Sequence, residues 1–302
     1  MRQGSFVRKG AAPAADPGTR PGLHGQTLLS LGQADLDRLL GGGLPLGALL
    51  LLLDDGWSGH AATLLRYFLA EGAACGQSLL LAAAPAPAGG LPAFVPPQLK
   101  RGSAVDKDEE GGEEHVGRLA VLSLGSLGWQ ATPQPGTGVF SSGGGSASGG
   151  GTGASAGTAV LRTLLQLKGT LRDRRCAAVV SVPAMLFSPS DLARMQHLAD
   201  GVVALESVAD GSDIARLAPD PASVAGLLHL RKPPALGTTS RPAPDVALHL
   251  VRHRRRRLAI TPVEIDPDAE VADAEATSGA GRSAASALCG GPPKPHGGAL
   301  DF

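Results

Sequence analysis

The sequence predicts an α/β fold with a mostly parallel central sheet and antiparallel C-terminal strands, and three observations carry that expectation. First, Ala48–Leu53 is an unbroken apolar run followed by Asp54-Asp55-Gly56, as in a strand buried on both faces rather than on one. Second, the period then changes: Leu64, Leu65, Phe68 and Leu69 recur at helical spacing between Ala61 and Glu71, and Gly72 stands where a helix should stop. A second apolar run, Ser78–Ala84, follows, so these elements make a βαβ unit with a right-handed crossover by default. Third, Val224–Arg231, Val246–Arg252 and Leu258–Ile265 read as strands with no helix between them, which joins them to the sheet antiparallel.

The elements between these are read in turn. Residues 85–118 dissolve into Pro, Ala and Gly and then an acidic stretch, Asp106, Asp108, Glu109, Glu110, Glu113 and Glu114 beside Lys107, which reads as a solvated loop. Leu119–Leu124 is a strand, and 131–158 is Gly/Ser low complexity, a flexible linker by composition. Val160, Leu161, Leu164, Leu165, Leu167 and Leu171 mark an amphipathic helix leading into the strand Cys176–Val182. Ser188-Pro189-Ser190-Asp191 supplies an N-cap, a proline at the first helical position and a carboxylate at the positive end of the helix dipole, opening a helix to about Ala199. Strand Val202–Glu206 follows directly. The expected organisation is a flexible tail over 1–22, one domain over 23–265 interrupted by the loops 85–118 and 131–158, and a largely disordered acidic and Gly/Ala-rich tail over 266–302.

Composition narrows the function classes. With 302 residues, 43% of them hydrophobic, the chain can bury one sizeable core or two small ones. The 27 Lys and Arg balance 27 Asp and Glu, so any nucleic-acid or membrane surface must be a local patch. Cys75, Cys176 and Cys289 are widely spaced and odd in number, which argues against a disulfide framework and against a zinc site and favours a reducing compartment. The longest apolar run, Leu44–Leu53, contains Pro45 and Gly47 and is too short for a bilayer, and no hydrophobic signal stretch opens the chain. A soluble, non-secreted protein without a membrane partner is expected.

A strand that runs through a short polar loop into a helix is the setting of the phosphate loop, G-x-x-x-x-G-K-[S/T]. Here the frame reads Asp54-Asp55-Gly56-Trp57-Ser58-Gly59-His60-Ala61. Gly59 keeps the second glycine, whereas Asp54 replaces the first, His60 the phosphate-reaching lysine and Ala61 the magnesium-holding hydroxyl. Unit charges ~4 Å apart at an effective dielectric of ~20 interact by roughly 4 kcal/mol, so carboxylates facing a triphosphate repel where a lysine would attract. The strand 119–124 ends in Gly125-Ser126-Leu127-Gly128 with no aspartate to hold magnesium. The alternative is an ordinary strand-to-helix turn.

Upstream, Leu36-Asp37-Arg38-Leu39-Leu40-Gly41-Gly42-Gly43-Leu44-Pro45-Leu46-Gly47 resembles the segment leading into the nucleotide-binding strand of RecA-type ATPases, including the KaiC and RadA families. This implies a RecA-like P-loop NTPase fold with a degenerate nucleotide-binding loop. A narrower resemblance lies in Gly18-Thr19-Arg20-Pro21, Gly25-Gln26, Ser30-x-Gly32, Arg66-Tyr67-Phe68-Leu69-Ala70-Glu71-Gly72, Leu124-Gly125-Ser126-Leu127-Gly128-Trp129, Cys289-Gly290-Gly291 and Leu300-Asp301-Phe302. These are similar to the family of Elongator complex protein 4, the PAXNEB family, over roughly 18–83, 119–130, 159–265 and the last residues. The family carries a longer structured stretch between the counterparts of Ala84 and Leu119, where this sequence has Pro/Ala/Gly and acidic residues. The resemblance implies a non-catalytic subunit in a hetero-hexameric ring with two paralogous RecA-like subunits, attached to the rest of the Elongator complex in cytoplasm and nucleus. It also implies that the ring binds tRNA and supports carboxymethyl-type modification of the wobble uridine by another subunit. No cofactor is then bound by this chain alone, while ATP at subunit interfaces of the ring can draw on Arg231, Lys232 or the arginines below in trans. The runner-up is a divergent, active RecA/KaiC-type ATPase.

Arg252-His253-Arg254-Arg255-Arg256-Arg257 is the one dense positive run and lies between two predicted strands. Arginine's planar fork suits RNA phosphates, with a solvated turn, a partner for the acidic loop or a nuclear-localisation patch as the alternatives. His249 and His253 are four apart but on a strand with no third ligand near, so no metal is expected. Gly41-Gly42-Gly43 precedes its strand instead of following it, which suits a turn or close packing better than a dinucleotide fingerprint. Glu206, at the end of its strand, is placed where a catalytic carboxylate can sit in this class of sheet, but without a phosphate loop a fold or interface role is expected. Trp57 either plugs the vacant nucleotide position or faces a neighbouring subunit.

Overall fold

A computed structural model of the chain describes residues 16–22, 25–95, 116–130, 156–172, 174–209, 212, 220–235, 246–254 and 257–263. The chain divides into two compact units, residues 1–208 with 223–262 and residues 209–222 with 263–302. In the second, the Ser212 amide donates to the Ala209 carbonyl (3.1 Å). Among the described residues, both sheets lie in the first unit.

Its centre is β4 (Leu49–Asp54), every residue of which is buried. Leu50 and Leu52 pack on one side with Leu64, Leu65, Phe68 and Leu69 of α2 (His60–Ala74). Leu49, Leu51 and Leu53 pack on the other with Val160 and Leu164 of α5 (Ala156–Leu171) and Met195 of α6 (Pro189–Leu198). Two-sided burial is why the strand reads as a continuous apolar run, since a period of two would leave one face wet. The remaining strands of this sheet are β5 (Ser78–Ala83), β6 (Gly117–Leu122), β7 (Cys176–Pro183), β8 (Gly201–Ser207), β9 (Val224–Lys232), β10 (Leu248–Arg254) and β11 (Arg257–Pro262). Among the described residues their order is β11-β10-β9-β8-β4-β7-β6-β5. The five from β8 to β5 run parallel, and β9, β10 and β11 join antiparallel. Strands β4 and β5 are parallel but not neighbours, because β7 and β6 lie between them.

Local signals explain the element ends. Ser188 caps α6 by accepting from the Asp191 amide, with Pro189 at the first turn. The amphipathic helix begins at Ala156, inside the stretch expected as linker, and its Leu165 is exposed. Within the stretch expected as loop, α3 (Gly90–Phe94) forms and Arg66 lies over the Phe94 ring at 5.0 Å. A short α4 (Leu127–Gln130) follows β6.

A smaller antiparallel sheet joins β1 (Thr19–Pro21), β2 (Thr27–Leu29) and β3 (Leu44–Pro45), with α1 (Ala34–Leu39) between the last two. Thr19–Pro21 thus forms a strand where a flexible tail was expected. The turn after α1 bears out the close-packing reading of its glycines: Gly43 has φ 138°, and a Cβ there would meet the Leu29 carbonyl oxygen at 2.6 Å.

Arg118 of β6, only 1% exposed, ties this sheet to the main one. Its Nη1 donates to the Ser30 and Phe68 carbonyls (2.5 and 2.8 Å), its Nε donates to Gln77 Oε1 (2.5 Å), and it lies over the Phe68 ring at 4.8 Å. Burial brings its pKa down to about 10, so it remains charged at neutral pH. Arg118→Ala removes the bonds to the Ser30 and Phe68 carbonyls and to Gln77 at once and should cost about 3 kcal/mol of stability. Chemical denaturation of the full chain measures this, and a loss below about 1 kcal/mol would contradict the role.

Candidate functional site

In a sheet of this order the chain leaves β4 towards one edge and later returns from β7 to β8 on the other side of it, so the crevice for a ligand lies at the C-terminal end of β4. The loop from Asp54 to Ala61 occupies that place. Gly59 has φ 66°, a left-handed conformation that starts α2. Within the loop the Asp55 carboxylate is the organising group. Its Oδ1 accepts from the Trp57 amide (3.0 Å), the Ser58 amide (3.0 Å) and the Ser58 hydroxyl (2.9 Å), and its Oδ2 accepts from the Ser207 amide at the end of β8 (2.6 Å). The Ser58 Oγ in turn accepts from the His60 amide (3.3 Å). Loop amides are the donors an incoming anion would use, and here a carboxylate of the chain itself already takes two of them.

The two aspartates are pushed in opposite directions. Burial raises the pKa of Asp54, with the charge and hydrogen bond of Asp55 adding to it against the Gly56 amide and His60, and its Oδ1 is buried without a partner among the described residues. Burial would also raise Asp55, but the Ser58 and Trp57 amides and the Ser207 and Ser58 side chains together hold it well below the usual carboxylate range.

His60 is 5% exposed and its ring reaches across to β9, where Nε2 lies 3.0 Å from the Ala225 carbonyl oxygen. Gly226 is required beside it, since a Cβ there would meet His60 Nε2 at 2.7 Å and the Glu206 carbonyl at 2.5 Å. Ala61 is fully buried in the core. Trp57 is 78% exposed, so it plugs nothing in this chain.

Strand β10 runs in the same direction as β4, two antiparallel steps beyond β8, so its end opens on the same edge of the sheet. The His60 and His253 rings stand 6.2 Å apart there. Arg252 pairs in register with Ala259 and Arg254 with Arg257, and among the described residues no carboxylate pairs with these three arginines. Arg255 and Arg256 lie outside the described residues. Arg231 is exposed, whereas Lys232 is buried with its Nζ donating to the Gln196 and His197 carbonyls (3.1 and 3.0 Å) and to that of Ala199, capping the end of α6. Glu206 lies 3.9 Å from His229 Nε2 at the surface. Sequence reasoning missed Ser207, Ala225 and Gly226, which act through backbone atoms far along the chain and leave no side-chain pattern.

Both carboxylates give tests. The contribution of Asp54 to stability is full below its ordinary value of 3.8 and is lost as the pH rises through its raised folded value. That of Asp55 is present above 3.8 and is lost as the pH falls. Asp54→Asn should therefore stabilise the chain at neutral pH, while Asp55→Ala should cost about 1–3 kcal/mol there. Urea titrations between about pH 2 and pH 8 read both, and a destabilised Asp54→Asn would contradict the assignment.

Compared with known proteins, the chain matches the family model described as PAXNEB protein over residues 12–114 and 98–289, which is most of its length. Elongator complex protein 4 of Xenopus laevis is 49% identical over 83 residues, 26% of this chain and 20% of the relative. That of Danio rerio is 51% identical over 69 residues, 22% of this chain and 17% of the relative, and that of Homo sapiens 48% over 68 residues, 22% and 16%. The matched stretches span about a fifth of the length of these relatives.

Proposed function

The chain belongs to the PAXNEB protein family, and from that premise we propose that it is a non-catalytic, RecA-like subunit of an Elongator complex. In this reading it joins two paralogous RecA-like subunits in a hetero-hexameric ring, in cytoplasm and nucleus. The ring binds tRNA and supports the carboxymethyl-type modification of the wobble uridine that another subunit carries out.

The observation that carries the non-catalytic part is the Asp55 carboxylate on the Trp57 and Ser58 amides. A nucleotide phosphate would have to displace a bound anion that is part of the chain, with no lysine at His60 and no hydroxyl at Ala61 to compensate. His60 is turned to β9 and serves packing. Any ATP in the ring then sits at subunit boundaries, with Arg231 free to contribute in trans, while Lys232 is committed to the end of α6. The RNA part is supported by the Arg252, Arg254 and Arg257 hairpin, to which the sequence adds Arg255 and Arg256.

Depleting the protein and measuring nucleosides by mass spectrometry should show loss of the modified wobble uridine, and normal modification would overturn the assignment. In the assembled ring, replacing Arg254 and Arg257 by Ala should weaken tRNA binding across sequences and lower the salt slope by about 0.7 per lost contact. An unchanged slope would remove the hairpin from the RNA surface. Micromolar binding of Mg-ATP by the isolated full chain, abolished by His60→Glu, would favour the divergent ATPase instead.

A further inference from the structure

The C-terminal edge of the sheet has two chemically different halves. On one side stand exposed apolar side chains that follow three adjacent strands: Leu127 (73% exposed) after β6, Met185 (59%) and Leu186 after β7, and Trp57 after β4. The turn before Trp57 approaches the segment after β7, since a Cβ on Gly56 would lie 3.2 Å from Met185 Sδ. On the other side stand Arg252, Arg254 and Arg257 at the ends of β10 and β11. Trp57 marks the boundary. Trp57 is 78% exposed, and a loop fixed by four hydrogen bonds to Asp55 holds the residue in place.

We propose that this edge binds a short unpaired stretch of RNA, with one base stacked on Trp57 and the neighbouring phosphates on Arg252, Arg254 and Arg257. The inference rests on the RNA-binding reading above and assigns its contact residues. Three strand spacings separate β4 from β10, about 14 Å, which is roughly four nucleotides at the 3.4 Å rise of a stacked strand. The charge pattern fixes the orientation. The Asp55 carboxylate repels phosphate beside Trp57 but leaves the neutral face of a base undisturbed, and the cationic half is where the phosphates must lie. Base-paired RNA keeps its bases inside the helix, so the aromatic platform selects single-stranded segments. A protein neighbour would use the apolar half and leave three arginines without a carboxylate among the described residues, so the combination favours RNA.

The chain has two tryptophans, Trp57 and Trp129, and the Trp129 Nε1 donates to the Leu122 carbonyl (3.2 Å) away from the surface. In full-length Trp129→Phe, emission from Trp57 should be quenched by single-stranded oligouridine and not by an abasic strand of equal length or a blunt duplex. In the otherwise unaltered chain, Trp57→Ala should weaken binding of labelled oligouridine by about tenfold without changing the salt slope, whereas Arg254→Ala should lower that slope. Emission unmoved at saturating oligouridine, with Trp57→Ala binding as the parent does, would overturn the stacking role while RNA binding itself stands. Loss of ring assembly in Trp57→Ala, with emission indifferent to RNA, would overturn it in favour of a protein neighbour. Failure of both the chain and the complex containing it to retain any RNA would overturn the RNA-binding reading and this inference together.

Discussion

The candidate site depends on one fully buried strand whose two ends are held by carboxylates. At the start of β4 the Leu49 amide donates to Asp200 Oδ2 (3.0 Å), whose other oxygen pairs with Lys168 (2.8 Å). Past its far end Asp55 gathers the loop amides and the Ser207 amide. The Leu49 amide is buried and would be expensive to leave unpaired, whereas Asp55 orders a loop that solvent reaches. The same economy decides the chemistry: the anion that completes the loop is covalently part of the protein.

That constraint accounts for neighbouring features that look arbitrary in isolation. His60 is drawn towards β9, which makes Gly226 obligatory, because its Cβ would collide with the imidazole and the Glu206 carbonyl. Asp54, buried beside an anionic Asp55, has its pKa raised by that burial and by the neighbouring charge. Trp57 stands in solvent between the apolar half of the edge and the arginine hairpin. The geometry converts a loop position suited to a triphosphate into a fixed pedestal.

Much of the large sheet was legible because its signals are local. The unbroken run before Asp54, the Ser188-Pro189 cap and the helix-free C-terminal strands each specify an element without reference to distant residues. The small sheet was not, since β1, β2 and β3 have two or three residues each and are held by Arg118, whose partners Ser30, Phe68 and Gln77 are remote in sequence. Helix α3 was hidden by its Gly90 and Pro92, which read as loop. For the site, the residue types at Asp54, Asp55, His60 and Ala61 were visible, but the direction in which each side chain points was not. Asp55 turns inward upon its own loop, His60 leaves it, and Trp57 faces water, outcomes set by β8 and β9 lying alongside.

The central claim is that the loop's anion site is already filled by Asp55. Amide-resolved hydrogen exchange of Trp57 and Ser58 in the full chain tests it most directly. The account predicts that both amides are protected in the free protein and that adding Mg-ATP leaves their exchange unchanged. Rapid exchange that slows only when Mg-ATP is present would contradict it.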